Sequence, residues 1–195
     1  MRIPSRHRAD PGASPPNRAA RRRLLTAGAA LFAAPLLALP RYSRANADSL
    51  RTVSLRHTHT GESLALAYAD GDTYLTNALA RVNWFLRDFR NGESRAIDPQ
   101  LLDQLHTLSQ LTRTRAPFEV ISGYRSPATN EALQRRGGGV ATHSLHLEGR
   151  AIDVRLADVS LADLRDAANS LRAGGVGFYP QPRFVHLDTG RMRRW

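Results

Sequence analysis

Apolar and polar positions change rhythm several times along the chain, and each change marks an element. "LRTVSLRHTHTGESLALAYAD", from Leu50 to Asp70, alternates on both sides of Thr60-Gly61, which predicts two short strands joined as a hairpin. Leu75, Leu79, Val82, Leu86 and Phe89 then recur at steps of three and four, the stripe of an amphipathic helix, with Trp84 and Phe85 widening it. Asp98 followed by Pro99 supplies an N-cap and a first-turn proline for a second helix, whose apolar positions are Leu101, Leu102, Leu105, Leu108 and Leu111. "PFEVISGYR" predicts a strand ending at Gly123, and Ser126-Pro127 opens a short helix running to Gly137, Gly138 and Gly139. "GRAIDVRL" predicts a strand, "SLADLRDAANSLRAGG" a helix from the Ser160 cap to the Gly174 stop, and "GVGFYP" and "RFVHLDTG" two closing strands. Helices and strands mix without regular alternation. The expected fold class is therefore α+β, a single domain with a mostly antiparallel sheet packed by helices.

Charge at first suggests a different class of protein. The 195 residues carry a net charge of +11, the mark of a nucleic-acid or membrane binder. Nine of the 28 basic residues, all arginine, fall within positions 1–47 against a single acid, Asp10, so most of the excess belongs to that segment. There "RRRLLTAGAALFAAPLLALP" places adjacent arginines before a charge-free run from Leu24 to Pro40, and Ala45 and Ala47 form a small-x-small cleavage site. Arg21 and Arg22, followed by Arg23, Leu24 and Leu25, make this leader similar to the twin-arginine type. Residues 1–47 are thus expected to be a removable export signal and residues 48–195 the functional domain. The alanines and prolines of the charge-free run from Leu24 to Pro40 make it a poor permanent anchor. The remainder shows no arginine stripe interleaved with aromatics, so nucleic acid is not an expected partner.

The chain has no cysteine, so thiol chemistry and thiolate ligands are excluded and any metal must be held by His, Asp or Glu. On a strand, successive side chains face opposite ways. In "RAIDVRL", Ile152 and Val154 form the core side and leave Ala151, Asp153 and Arg155 on the other. In "FVHLDTG", Val185 and Leu187 do the same and leave Phe184, His186 and Asp188 together. If the two strands are neighbours, Asp153 and His186 project from one face. His146 precedes Asp153 by seven residues, and Gly149 between them allows the chain to bend the imidazole over the carboxylate. Two imidazoles and one carboxylate suit a catalytic Zn2+, which keeps a fourth position for water. Such an ion activates water and polarises a carbonyl, the requirement for amide hydrolysis. His57, His59 and His106 lack such company and are expected to be structural.

"SLHLEGRAIDV", preceded by "SGYRS" and followed by "FVHLDTG", resembles the signature of the D-alanyl-D-alanine peptidase family of zinc metallopeptidases, which shares its fold with the Hedgehog signalling domain. "HTGESL", "NWFLRDFR", "GGVGFYP" and "VHLDTGRMRRW" resemble the murein endopeptidase K-like branch of that family, from about Leu50 to Trp195. The resemblance implies a Hedgehog/DD-peptidase-like fold, a periplasmic location, peptidoglycan peptides as partners and His146, Asp153 and His186 as zinc ligands. It also implies that Arg125 faces the substrate carbonyl, where a guanidinium stabilises an oxyanion. Ser144 is expected either to hydrogen-bond substrate or to order its loop. Many relatives carry the general base three residues before the last ligand, and here that position is Arg183, which accepts no proton at neutral pH. Asp188 can take the base role or orient a ligand imidazole, and His143 and Glu148 are further options. Two functions follow: a monomeric zinc-dependent endopeptidase acting on cell-wall cross-links, or a zinc-containing wall-binding module that has lost turnover.

Overall fold

The computed structural model describes residues 49–137 and 141–195. The expected leader, residues 1–47, lies outside them. The alternating stretch folds as a hairpin of β1 (Leu50–His57) and β2 (Ser63–Asp70), followed by a short β3 (Thr73–Tyr74). Then come α1 (Thr76–Phe85), α2 (Pro99–Thr112), β4 (Phe118–Ser122), α3 (Pro127–Arg135) and a 3₁₀ turn at Leu145–Glu148. β5 (Ala151–Arg155), α4 (Leu161–Leu171), β6 (Gly175–Tyr179), β7 (Phe184–Asp188) and β8 (Arg193–Arg194) complete the order.

The eight strands form one mixed sheet in the order β3-β2-β1-β4-β5-β7-β6-β8. Two pairings, β1 with β4 and β6 with β8, are parallel, and the other five are antiparallel. The result is the α+β class expected, with a sheet that is mostly antiparallel. Leucines of α2 and Leu164 of α4 join Ile152, Val154, Val185 and Leu187 in one core, which leaves the alternate residues of β5 and β7 on the opposite face. Gln104 of α2 is buried in that core and donates to the carbonyls of Ala173 and Asp188, at 3.2 and 3.0 Å, tying the helix to the far end of β7. No helix among the described residues is long and apolar enough to cross a membrane.

Three helix starts follow the caps expected of them. Asp98 accepts from the Gln100 N–H, Ser126 from Thr129 and Ser160 from Asp163. The ends differ more. α1 stops at Phe85 although Leu86 and Phe89 continue its spacing, because the Leu86 carbonyl accepts from the Tyr124 N–H and the chain turns to meet the loop after β4. Trp84 does not widen the buried stripe. It is exposed, with the Arg87 guanidinium 4.5 Å above its ring. Leu111, expected in the core, also faces solvent. α4 ends three residues before Gly174, with Arg172 itself in the left-handed conformation.

Candidate metal centre

β5 and β7 are neighbours, and Asp153 and His186 are direct cross-strand partners on the face away from α2 and α4. The third group arrives on the 3₁₀ turn. Ser144 caps that turn, its Oγ accepting from the His146 N–H at 3.4 Å, and Gly149 ends it at φ 70°. A Cβ on Gly149 would stand 2.3 Å from the Ala96 carbonyl oxygen, so only glycine lets the turn press this closely on the segment before α2. Backbone bonds from Arg125 N–H to the His146 carbonyl and from Asp98 N–H to the Gly149 carbonyl hold it there.

Hydrogen bonds on the outer side of each imidazole decide which nitrogen faces inward. His146 Nδ1–H donates to the Gly123 carbonyl at 2.7 Å, which leaves the Nε2 lone pair pointing at Asp153. His186 Nε2–H donates to Asp188 Oδ2 at 3.1 Å, which leaves Nδ1 inward. His146 Nε2, His186 Nδ1 and Asp153 Oδ1 are then separated by 3.3, 3.2 and 2.8 Å. Ligands held about 2.0–2.1 Å from a tetrahedral zinc are about 3.3–3.4 Å apart, so the triangle already has nearly the dimensions of one face of that tetrahedron. Two nitrogen lone pairs and a carboxylate oxygen converging on one buried point call for a positive charge between them. Among the described residues these three are the group of His, Asp and Glu side chains placed to hold a metal ion. The donor set fits zinc.

Electrostatics show the same demand for positive charge at this point. Burial alone would raise the Asp153 carboxyl, but His146 and His186 beside it outweigh that and hold it well below the usual carboxylate range. Burial pushes the His146 imidazole down and keeps it neutral. Burial also works against a charged His186, yet its hydrogen bonds to Asp153 and Asp188 hold it at about 9, so Nδ1 carries a proton that a metal ion bound there would displace.

Asp188 is fully buried and does not line the cleft. Its Oδ1 accepts from the N–H groups of Gly175 and Gly190 and from Arg193 Nη1, and its Oδ2 from His186 Nε2 and Arg193 Nη2. Burial raises its pKa, but these donors outweigh it and leave the group at about 2. Of the two roles its strand position allows, orientation of the ligand imidazole fits this geometry.

The triad opens into a cleft of about 330 Å³ whose lining includes Arg125, His143, Ser144, Tyr179 and Trp195. Arg125 is buried at its edge. Its Nη2 lies 3.7 Å from Asp153 Oδ2 and 3.5 Å from Ser122 Oγ, its Nη1 is 3.5 Å from Asn130 Oδ1, and its Nε has no partner. Burial lowers the pKa of this guanidinium, and its long, unfilled contacts leave donors for a further acceptor. Ser144 both caps the 3₁₀ turn and lines the cleft. Glu148 pairs with Arg150 on the surface, and Arg183 sits in the turn before β7; neither lines the cleft.

Sequence reasoning missed Asp88. It is fully buried and accepts from the Ser126 N–H and Oγ–H at 2.9 and 2.8 Å, fixing the turn that carries Arg125. Its local signal is a lone acid between Leu86 and Phe89, the last two positions of the apolar stripe. Tyr179, Arg193 and Trp195 were also missed, since nothing near them in the chain marks them as neighbours of His186.

A family model described as Peptidoglycan L,D-endopeptidase MepK matches residues 45–195. The chain belongs to that family. The MepK of Escherichia coli strain K12 is 44% identical over 175 residues, which cover 90% of this chain and 96% of the relative. The probable MepK of Haemophilus influenzae is 38% identical over 146 residues, 74% of this chain and 78% of that protein. Among solved structures, the Serratia marcescens L-Ala D-Glu endopeptidase ChiX aligns with a TM-score of 0.34 and 21% identity, over 49% of this chain and 68% of its own. The whole described domain, triad and cleft included, falls within the stretch matched by the MepK family model.

Proposed function

We propose that this protein is a zinc-dependent peptidoglycan L,D-endopeptidase that cuts amide bonds in the peptide cross-links of the cell wall. The observation that carries the reading is the outward anchoring of both imidazoles, His146 to the Gly123 carbonyl and His186 to Asp188. It leaves two lone pairs and one carboxylate oxygen aimed at a single point on the floor of an open cleft. His146 Nε2, Asp153 Oδ1 and His186 Nδ1 would hold the ion. Zinc bound there supplies a Lewis acid for the scissile carbonyl and lowers the pKa of a bound water to about 7.

The remaining work falls to side chains along the cleft. Arg125, whose terminal Nη1 and Nη2 make only long contacts of 3.5–3.7 Å, donates to the oxygen of the carbonyl as negative charge grows on it. Asp188 keeps the proton of His186 on Nε2 and so holds the ring in register. With Asp188 committed and Arg183 outside the cleft, His143 is the lining imidazole beyond the triad, and we assign it the role of proton acceptor. Ser144 holds the 3₁₀ turn and presents its hydroxyl to the peptide.

The same reading places the protein outside the inner membrane as a monomer with the Hedgehog/DD-peptidase-like fold. Residues 1–47 serve as a twin-arginine-type leader removed before Asp48. The arginine at the position where many relatives carry a base favours a second reading, a wall-binding zinc module without turnover. Digestion of defined dimeric muropeptides, with products weighed by mass spectrometry, tests the two. Release of peptides by the parent and none by His186→Ala supports the peptidase. No release by the zinc-loaded parent leaves the binding module.

A further inference from the structure

We infer that Trp195, with Tyr179 and Phe184, forms a preorganised aromatic wall of the cleft that binds the aliphatic flank of the peptide beside the scissile amide. The inference rests on the peptidase reading above and adds the group that grips the substrate.

Trp195 is 48% exposed, yet it is held from every side that the protein can reach. Its N–H donates to the Val176 carbonyl at 3.3 Å and its carbonyl accepts from the Phe178 N–H at 2.9 Å, so the backbone is bound to β6. Its indole Nε1–H donates to the Tyr179 hydroxyl at 2.7 Å. The Arg193 guanidinium lies 4.9 Å from the ring centre, and the same guanidinium grips Asp188. Behind the indole stands Gly177, where a Cβ would lie 2.7 Å from ring atoms. Tyr179 in turn stacks on Phe184 with centroids 4.6 Å apart. The indole centroid is 5.3 Å from that of His186.

An exposed indole gains little for the fold, and an indole fixed this firmly has already lost the rotamer freedom that binding would otherwise cost. All three aromatic residues line the cleft, as do Arg125, His143 and Ser144; in the sheet Arg125 follows β4, on one side of the β5–β7 pair, whereas Tyr179 and Trp195 lie at β6 and β8, on the other. A peptide lying across the triad therefore meets the Arg125 guanidinium on one flank and an apolar face on the other. That difference fixes its direction over the metal. An aromatic face suits methylene groups and peptide planes, whereas a charged side chain would lose hydration against it.

Steady-state kinetics on a purified dimeric muropeptide test the wall. Trp195→Ala should raise KM about tenfold, the loss expected when the apolar face is removed, with kcat changed less than about threefold. Zinc content should stay at that of the parent, and Trp195→Phe should recover most of the affinity. An unchanged KM overturns the inference, as does a loss of kcat and zinc at constant KM, which would make Trp195 a support for His186 alone. Since the sequence has two tryptophans, Trp84→Phe leaves Trp195 as the sole indole emitter. Its fluorescence on rapid mixing with the muropeptide should change, and constant emission during turnover also overturns the wall. Activity of the parent with no effect at Trp195 removes the wall and leaves the peptidase; an inactive zinc-loaded parent removes both.

Discussion

Asp188→Asn separates orientation from proton transfer at a single residue. In the parent, Asp188 Oδ2 accepts from both His186 Nε2 and Arg193 Nη2. The substituted amide keeps one oxygen, which the Gly175 and Gly190 N–H groups claim at the Oδ1 position. Its NH2 then faces two donors. His186 relieves one of these conflicts by moving its proton to Nδ1, which takes the lone pair away from the metal position. Loss of such an outer hydrogen bond typically lowers metal affinity about 10–100-fold, or about 1.4–2.8 kcal/mol. A zinc titration against a competing chelator measures it, with muropeptide turnover recorded at saturating zinc. The account predicts weaker binding, and activity that recovers in large part when zinc is raised. Affinity within about threefold of the parent together with abolished turnover would refute it, because a base role predicts that pattern.

Three further outcomes follow from the same geometry. Arg125→Ala should lower kcat by about 10²–10³ while zinc stays bound, the usual loss for one oxyanion donor, and loss of zinc instead would show that the guanidinium holds Asp153 rather than substrate. His143→Gln should reduce kcat by about a hundredfold while zinc stays bound; an unaltered kcat would eliminate His143 as proton acceptor. His57 is fully buried, and its Nδ1 accepts from the N–H groups of His59 and Thr60. Burial, helped by His59, pulls its pKa from 6.5 to about 4. The unfolded chain then binds the proton more readily, so this stability is complete above about pH 6.5, is lost as pH falls towards 4, and amounts to at most about 3 kcal/mol. His57→Asn keeps an acceptor in place and should flatten the stability profile across that window; an unchanged slope in denaturant melts would contradict the shift.

How much of this was legible in the sequence depended on the range of the forces involved. Local signals served well: Asp98-Pro99, Ser126-Pro127 and Ser160 start helices in the structure because a cap needs only its own next few residues. Alternation in "RAIDV" and "FVHLD" put Asp153 and His186 on one face, and the register that pairs them makes that face the floor of the site. The end of α1 was misjudged because Leu86 is buried as a turn residue, so its spacing continued a helix that tertiary bonds had already stopped. The parallel pairing of β1 with β4 and the two-residue strands β3 and β8 leave too little pattern to read. Asp88, Arg193 and Trp195 act on partners brought near by folding, and no spacing rule reaches them.

Anomalous diffraction at the zinc absorption edge, from crystals of the protein grown with zinc, tests the central claim most directly. The account predicts one peak in the cleft, about 2.0–2.2 Å from His146 Nε2, Asp153 Oδ1 and His186 Nδ1, with His186 Nε2 still bonded to Asp188. A peak held by other atoms, or none at the triad in zinc-saturated crystals, would contradict it.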